Sequence, residues 1–213
     1  MMTIACPLCR SSAPHSRLDG PLSRTYLLCD RCKMIFVPAE DLPDRITEKA
    51  WYQTHENGIQ HNGYVRFLNQ AISPTLPYLP KNARGLDYGC GPGPTLHILL
   101  NRAGFACDNY DPFFVPDKPD GPYDFIMSTE CFEHFFDPPG EMENIGRLLK
   151  TGGILTIMTR FWEHKEEFPS WYYANDPTHV CFYHADTISW LAAHFGYQLL
   201  WTDHKRVIVL QKQ

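Results

Sequence analysis

The chain has 213 residues, of which 44% are hydrophobic, so it is long enough for one full globular domain and a smaller appendage. Its formal net charge of −5 argues against a general polyanion-binding protein, and no apolar run reaches the roughly 18 residues of a membrane span. Eight cysteines without a secretory signal pattern indicate metal ligands or reduced thiols in a cytoplasmic protein rather than disulfides.

The N-terminal segment contains two Cys-x-x-Cys pairs, Cys6 with Cys9 and Cys29 with Cys32. Nineteen residues separate the pairs, a spacing typical of four-cysteine zinc sites. Each pair forms a tight knuckle that directs two sulfur atoms to one point, so two pairs make a closed site of the structural kind. Because so short a segment buries too little apolar surface to fold alone, we expect a zinc ribbon over residues 1–40, stabilised by its metal.

Residues 41–80 are rich in proline and polar groups and contain one predicted helix, near residues 64–72, which later prolines end. Two interpretations of this segment stay open: a linker packed on the core, or a lid over a cofactor cleft. The side chains that mix aromatic and polar character here are Trp51, Tyr52, His55, Glu56, Asn57, His61 and Tyr64.

Residues 81–213 alternate between strand and helix patterns, which predicts an α/β fold with a mostly parallel sheet covered on both faces. A long loop over 161–183 precedes the last helix, and the two closing strands form an antiparallel hairpin. The predicted strands cover 83–88, 105–111, 123–129, 154–160, 197–202 and 206–211, and the predicted helices cover 94–103, 139–150 and 185–195.

The first of these strands runs into the sequence Asp-Tyr-Gly-Cys-Gly-Pro-Gly at positions 87–93. Glycines at alternate positions let the backbone turn sharply and approach a ligand closely. A dinucleotide fingerprint would need a further glycine at position 94, which is Pro94, so a dinucleotide site is not indicated. Asp111 ends the second strand, where a carboxylate can accept hydrogen bonds from both hydroxyls of a ribose; the alternative is a turn-forming aspartate before proline.

The D-x-G-x-G-x-G sequence resembles motif I of the class I S-adenosylmethionine (SAM) dependent methyltransferases, and the resemblance covers roughly residues 81–213. It implies a Rossmann-like sheet of seven strands in the order 3-2-1-4-5-7-6, with SAM as cofactor. Only eleven residues, 112–122, separate Asp111 from the next strand, so we expect the family's third strand and following helix to be truncated, and we assign no adenine contact. The cofactor-binding residues that the resemblance implies are Asp87, Gly89, Cys90, Gly91, Gly93, Asp111 and Glu130.

A second group of polar residues follows the strand over 123–129, where Glu130, Glu133 and His134 come close together in sequence. Two carboxylates and an imidazole suit Mg, Mn, Fe(II) or Zn, and His179 in the long loop completes the set. This E-x-x-E-H sequence with a later histidine resembles the metal-dependent small-RNA 2′-O-methyltransferases, and its Glu/Glu/His part is similar to the ubiquinone-pathway O-methyltransferases. The resemblance implies a second divalent metal held by these four residues. The alternative is an acid–histidine pair that only shapes the cofactor pocket.

These patterns predict a SAM-dependent methyltransferase that O-methylates a small-molecule hydroxyl, with Glu133, His134 and His179 as catalytic residues. A metal would lower the pKa of that hydroxyl, and an RNA end is a weaker acceptor candidate. One alternative is a sugar C-methyltransferase without a second metal, whose base is a histidine or tyrosine in residues 51–64 or 171–184. Another is a catalytically silent module that binds SAM or zinc for interaction.

Overall fold

A computed structural model of the chain describes residues 4–54 and 57–213. Residues 1–3 of the predicted ribbon and His55 and Glu56 of the predicted linker or lid lie outside the described residues. The elements in chain order are β1 (Ser16–Leu18), β2 (Tyr26–Leu28), β3 (Ile35–Phe36), α1 (Arg45–Tyr52), α2 (Asn62–Thr75), β4 (Arg84–Tyr88), α3 (Thr95–Arg102), β5 (Ala106–Tyr110), β6 (Tyr123–Thr129), α4 (Pro138–Leu148), β7 (Leu149–Met158), β8 (Cys181–Phe182), α5 (Ala185–Phe195), β9 (Tyr197–Thr202) and β10 (Val207–Lys212).

A six-stranded sheet in the order β5-β4-β6-β7-β10-β9 forms the main part of the molecule. The first four of these strands are parallel, and β10 pairs antiparallel with both β7 and β9. This topology confirms the predicted Rossmann-like α/β fold with an antiparallel C-terminal end.

The strand count differs from the seven strands that the resemblance implies, because no strand lies beyond β5 in the described sheet. In the family's numbering the order becomes 2-1-4-5-7-6. The physical reason is length: a parallel crossover connection needs a dozen or more residues, and residues 112–122 are too few. These residues instead form a short turn closed by a bridge between Asp111 and Val115.

Apolar side chains cover both faces of the sheet, which is why its central strands are nearly continuous hydrophobic runs. Along β10, Val207 and Val209 pack into the core beneath α2 and α3, whereas Ile208 and Leu210 pack into the core beneath α4 and α5. The predicted end of the last helix is confirmed, since Gly196 adopts the left-handed conformation with φ +73°.

A second, four-stranded sheet in the order β1-β2-β3-β8 is antiparallel throughout. Cys6 and Cys9 precede β1 in the chain, and Cys29 and Cys32 lie between β2 and β3. Its last strand, β8, comes from the long loop rather than from the N-terminal segment, and pairs Ile35 with Phe182 and Phe36 with Cys181. We call residues 4–37, with β1 to β3 and both cysteine pairs, the four-cysteine module. The predicted division of the chain at residues 40 and 80 stays a prediction.

Helix α1 was not expected from the sequence, because its apolar residues Ile46 and Trp51 are exposed, whereas the residue it buries is the acid Glu48. The Asp44 side chain caps it by accepting hydrogen bonds from the backbone N–H groups of Ile46 and Thr47, both at 2.9 Å. The predicted helix near 64–72 is α2, which is longer and begins close to α1 in the chain. Within the described ranges, no helix has both the length and the apolar character that crossing a membrane requires.

Candidate active site

A cavity of about 730 Å³ opens at the carboxyl ends of β4, β5 and β6, where ligands of open α/β sheets bind. Tyr52 from α1, Asn57 from the connection and Tyr64 from α2 line the side opposite the sheet. The described part of this segment therefore borders the cavity, and its role as a lid stays a prediction. Tyr172 and Tyr173 form part of the remaining wall.

The glycine-rich sequence forms a tight loop between β4 and α3. Gly89 and Gly91 have φ values of +83° and +64°, a region that side chains other than glycine rarely adopt. The N–H groups of Gly89 and Cys90 donate to the Tyr110 carbonyl oxygen at 2.8 and 3.1 Å, which ties the loop to β5. A Cβ on Gly89 would lie 2.2 Å from the Cys131 sulfur, whereas a Cβ on Gly91 would meet nothing within 4 Å. Gly91 therefore leaves open space beside the cavity where a ligand can approach the backbone.

Asp111 organises this loop as well as its own turn. Its Oδ2 accepts a hydrogen bond from the Gly91 N–H at 3.0 Å, and its Oδ1 accepts from the N–H groups of Phe113 and Phe114 at 2.8 and 3.1 Å. A carboxylate offers about four acceptor positions, so these bonds leave one position on Oδ2 for a ligand hydroxyl. Both interpretations of Asp111 therefore have support: it forms the turn, and it lines the cavity.

Two further carboxyl groups line the cavity near the loop. Burial, followed by the nearby charge of Asp111, raises the pKa of Asp87 to about 8. Burial raises the pKa of Glu130 to about 7, and Glu130 Oε1 has no hydrogen-bond partner among the described residues. A cationic ligand would favour the ionised form of both groups. This pair of acids and the open space beside Gly91 fit a SAM molecule, which has an ammonium group and a sulfonium.

Glu133, His134 and His179 bring one potential ligand atom each to within 4.8 Å of one another. The Nδ1–H of His134 donates to the Thr178 carbonyl at 3.0 Å, and that of His179 donates to the Tyr173 carbonyl at 2.7 Å. These bonds fix the tautomer in which Nε2 of each ring holds the lone pair. The structure thus brings together three of the four residues predicted to hold a second metal.

Burial and neighbouring charges change the pKa values of two residues in this cluster. Burial, with the charge of Glu130, raises the pKa of Glu133 to about 7, while Glu133 Oε2 has no hydrogen-bond partner among the described residues. Burial, with the neighbouring His179, lowers the pKa of His134 to about 4, so its ring is neutral at pH 7. A neutral imidazole and an oriented carboxylate are the donor set of a hard or borderline divalent metal, so these residues fit one.

Glu130 does not join this cluster, contrary to the four-residue set that the resemblance implies. Its backbone N–H donates to the Met158 carbonyl at 2.7 Å and its φ is +50°, so it ends β6 in a left-handed turn. The charges of Arg206 and Arg160 and a hydrogen bond from Tyr173 act on its carboxyl, and its own charge acts on Glu133. Spacing in sequence could not show that Glu130 lies outside the three-residue cluster, and its role beside the cofactor stays a prediction.

Sequence reasoning missed two acids that line the cavity, Glu48 and Glu141, and the hydrogen bonds that tyrosines donate to acids there. Tyr52 donates to Glu48 Oε1 at 2.9 Å, and Glu48 is buried on α1 with a pKa raised by that burial. Tyr173 donates to Glu133 Oε1 at 2.5 Å, and Tyr88 donates to Glu141 on α4. The i, i+4 spacing of Glu48 and Tyr52 was the one available signal, because it places both on one helix face.

The four cysteines of the N-terminal pairs converge as predicted. Their sulfur atoms lie within 4.8 Å of one another in two closely similar knuckles, since the N–H of Arg10 donates to the Cys6 carbonyl and the N–H of Lys33 donates to the Cys29 carbonyl. The Cys32 thiol lowers the pKa of Cys6 to about 5, and the two sulfurs are 3.6 Å apart. Four converging sulfurs, one of them readily ionised, fit a tetrahedral dication such as zinc.

A family model described as "Methyltransferase domain" matches residues 59–201, which is more than half of the chain. No curated protein matches the chain. Among solved structures, the chain is similar to the 1,6-didemethyltoxoflavin-N1-methyltransferase of Burkholderia thailandensis with bound 1,6-didemethyltoxoflavin and S-adenosylhomocysteine. That pair shares 14% identity over 94% of this chain and 100% of that chain, with a TM-score of 0.55, a likeness that shows the fold.

Two further structures have lower scores. The CurJ carbon methyltransferase shares 14% identity over 68% of this chain and 53% of that chain, with a TM-score of 0.44. The phosphoethanolamine N-methyltransferase 2 of Haemonchus contortus in complex with SAM shares 17% identity over 72% of this chain and 43% of that chain, with a TM-score of 0.49. The chain therefore spans about half the length, or less, of these two proteins.

Proposed function

This chain belongs to the methyltransferase-domain family and is a SAM-dependent methyltransferase, and from that premise we propose that it O-methylates a small-molecule hydroxyl with the help of a divalent metal. The observation that carries the proposal is the cluster of Glu133, His134 and His179, whose ligand atoms lie within 4.8 Å of one another. Both histidines also line the cavity that the glycine-rich loop borders. The glycine-rich loop and the two histidines of the candidate metal site therefore border the same cavity.

In this proposal the residues around the glycine-rich loop hold the cofactor. Bound SAM supplies a methyl group on a positively charged sulfonium, which is already activated for transfer. Asp87 and Glu130, both buried acids with raised pKa values, would balance its positive charges, and the remaining acceptor position of Asp111 would take a ribose hydroxyl. The backbone of the loop, with Gly89, Cys90, Gly91 and Gly93, would lie against the methionine moiety.

Hydrogen bonds within the chain would orient the proposed metal ligands. Glu133 Oε2 and the Nε2 atoms of His134 and His179 would hold a divalent metal, which supplies the charge that lowers the pKa of a substrate hydroxyl. The Tyr173 hydroxyl fixes Glu133 through its other oxygen, and the Thr178 and Tyr173 carbonyls fix the two rings. Positioning and deprotonation are most of what the protein must add to an activated methyl donor.

The charge of the cavity supports a small acceptor without phosphate groups. Arg45 is the sole lysine or arginine among the described residues that line it. An anionic acceptor, such as an RNA end, would meet an acidic wall with one compensating cation. The carboxyl side chains of that wall belong to Glu48, Asp87, Asp111, Glu130, Asp137, Glu141 and Asp176.

Sugar C-methylation without a second metal is the second candidate. Tyr52 and Tyr64 lie in the first of the two segments expected to supply a base, and Tyr172, Tyr173 and His179 lie in the second, and all five line the cavity. A silent SAM-binding or zinc-binding module is the third, and it predicts SAM binding without turnover. The zinc of the four-cysteine module has no chemical step in any of the three, because a closed four-thiolate site is structural.

The test is the metal dependence of turnover. Protein is dialysed against a chelator, shown by elemental analysis to keep its zinc, and assayed for S-adenosylhomocysteine formation with a pool of phenols and aliphatic alcohols, with and without Mg²⁺ or Mn²⁺. We expect activity only with added metal, and a loss of at least about 100-fold in Glu133→Gln and His134→Ala.

Matched controls are Glu163→Gln and His164→Ala, which change exposed residues of the same types and should retain full activity. Turnover that persists without added metal, or that survives in Glu133→Gln, would reject metal assistance. A C-methylated product under those conditions would favour the second candidate, and SAM binding without any product would favour the third.

A further inference from the structure

The four-cysteine module shares its sheet with the loop that contains His179. Strand β8 in that loop pairs with β3, and next to it the Val37 N–H donates to the Val180 carbonyl at 2.9 Å. The aromatic ring of Tyr26 in the module lies 5.1 Å from that of Phe168 and 6.1 Å from that of Phe182, both in the loop region. The module and the acceptor side of the cavity are thus one packed unit.

Arg24 makes the most concentrated contact between the two. Its Nη1 donates to the Pro177 carbonyl at 2.6 Å, and its Nη2 donates to the His179 carbonyl at 2.6 Å and the Asp176 carbonyl at 3.3 Å. Its Nε donates to the Tyr26 hydroxyl at 2.9 Å, which aims the guanidinium. One planar group with a fixed fork of donors therefore binds three carbonyls of residues 176–179, which we call the 176–179 turn.

The 176–179 turn in turn orients the candidate metal ligands. The Thr178 carbonyl accepts from His134 Nδ1, and His179 lies in the turn itself. On the opposite side, Trp51 Nε1 of α1 donates to Asp176 Oδ2 at 2.8 Å, so α1 is attached to the same turn. Part-buried carbonyls without a donor would be costly, so Arg24 stabilises the position of the turn.

We propose that Arg24 is a positioning residue that couples the four-cysteine module to the acceptor side of the cavity. It holds the 176–179 turn, and through that turn it places His179 and His134; its hydrogen bonds to described residues reach Tyr26 and that turn. The role of the two histidines as metal ligands rests on the function proposed above. The coupling between the module and the turn can be tested by a structural measurement without any acceptor.

The variants are Arg24→Ala and Arg24→Lys in the full chain with zinc bound, and the control is Arg17→Ala, which changes an exposed arginine on β1 of the same module. Hydrogen exchange is measured on peptides covering residues 174–182, and Mn²⁺ binding is measured by electron paramagnetic resonance. Mn²⁺ suits carboxylate and imidazole ligands and does not compete for thiolates.

We expect Arg24→Ala to exchange residues 174–182 at least about tenfold faster and to bind Mn²⁺ at least about tenfold more weakly, with zinc content and SAM affinity unchanged. Arg24→Lys keeps a cation with three donors but loses the planar fork, so it should restore part of both effects. The control should match the wild type in every measurement.

Three outcomes separate the proposals. Equal exchange and Mn²⁺ binding in Arg24→Ala and Arg17→Ala would overturn the coupling. Absence of Mn²⁺ binding in the wild type would overturn the metal-assisted function, while the exchange rates would still decide the coupling. If Arg24→Ala loses its zinc or fails to fold, Arg24→Lys is compared with the wild type instead. Hydrogen exchange of the 176–179 turn at the wild-type rate in Arg24→Lys would again overturn the coupling.

Discussion

At the scale of single residues, buried acids decide how the cavity treats a cationic ligand. Asp87 and Glu130 have pKa values raised to about 8 and about 7, chiefly by burial, so a substantial fraction of each is protonated at pH 7 before a ligand binds. Asp111, by contrast, has three of its acceptor positions filled by backbone N–H groups. Asp87 and Glu130 are thus available to balance the charge of a cationic ligand, whereas Asp111 shapes the glycine-rich loop.

The raised pKa of Asp87 predicts that SAM binding releases protons. A cation favours the carboxylate and lowers its pKa, so the affinity for SAM should rise as the pH increases towards about 8 and should then level off. Calorimetry at pH 6.5 in two buffers of different ionisation enthalpy measures the protons released.

Asp87→Asn removes the titrating group and should flatten this pH dependence, whereas Asp117→Asn, which changes an exposed aspartate of the 112–122 turn, should leave it as in the wild type. An unchanged proton release in Asp87→Asn would assign the effect to Glu130 instead.

At the scale of elements, the two knuckles and β8 explain why the four-cysteine module lies where it does. Because each knuckle repeats the same backbone hydrogen bonds, each directs its two sulfurs in the same way, and the four sulfurs lie within 4.8 Å of one another. The module's small sheet is completed only by β8, so metal binding there and order in the long loop should change together.

We therefore expect Cys6→Ser with Cys9→Ser to lose the bound zinc and to lower the thermal midpoint of the whole chain, because the module's core is continuous with the main core. Elemental analysis and a thermal scan measure the two effects. Cys107→Ser changes another buried cysteine and should keep one zinc per chain. Purified wild-type protein without zinc would refute the assignment of the metal.

The local patterns of the sequence were enough for most of the architecture. Alternating strands and helices, the glycine-rich loop and the cysteine pairs are each encoded by residues close together in the chain. Helix α1 and strand β8 were not predictable in this way. The first exposes the apolar side chain of Ile46 and buries the acid Glu48, and the second is a two-residue strand that pairs with β3.

At the scale of the whole molecule, one cavity lies between two differently built walls. The cofactor wall comes from the parallel sheet, whose pattern the sequence predicts directly. The acceptor wall comes from α1 and the long loop, which the four-cysteine module contacts from outside the cavity, and their arrangement depends on tertiary contacts such as those of Arg24 and Trp51. This difference explains why the residues of the glycine-rich loop could be proposed as a group from the sequence, while Glu48, Glu141 and the neighbours of Glu130 could not.

Calorimetric titration of SAM shows whether the glycine-rich loop binds the cofactor in this cavity. Gly91 and Gly152 both have positive φ values, +64° and +75°, and both have open space where a Cβ would lie, but only Gly91 borders the cavity. Replacing either by alanine costs similar backbone strain, about 1 kcal/mol. We predict one SAM site in the wild type, affinity at least about tenfold weaker in Gly91→Ala, and unchanged affinity in Gly152→Ala. No binding to the wild type, or equal affinities in the two variants, would contradict the account.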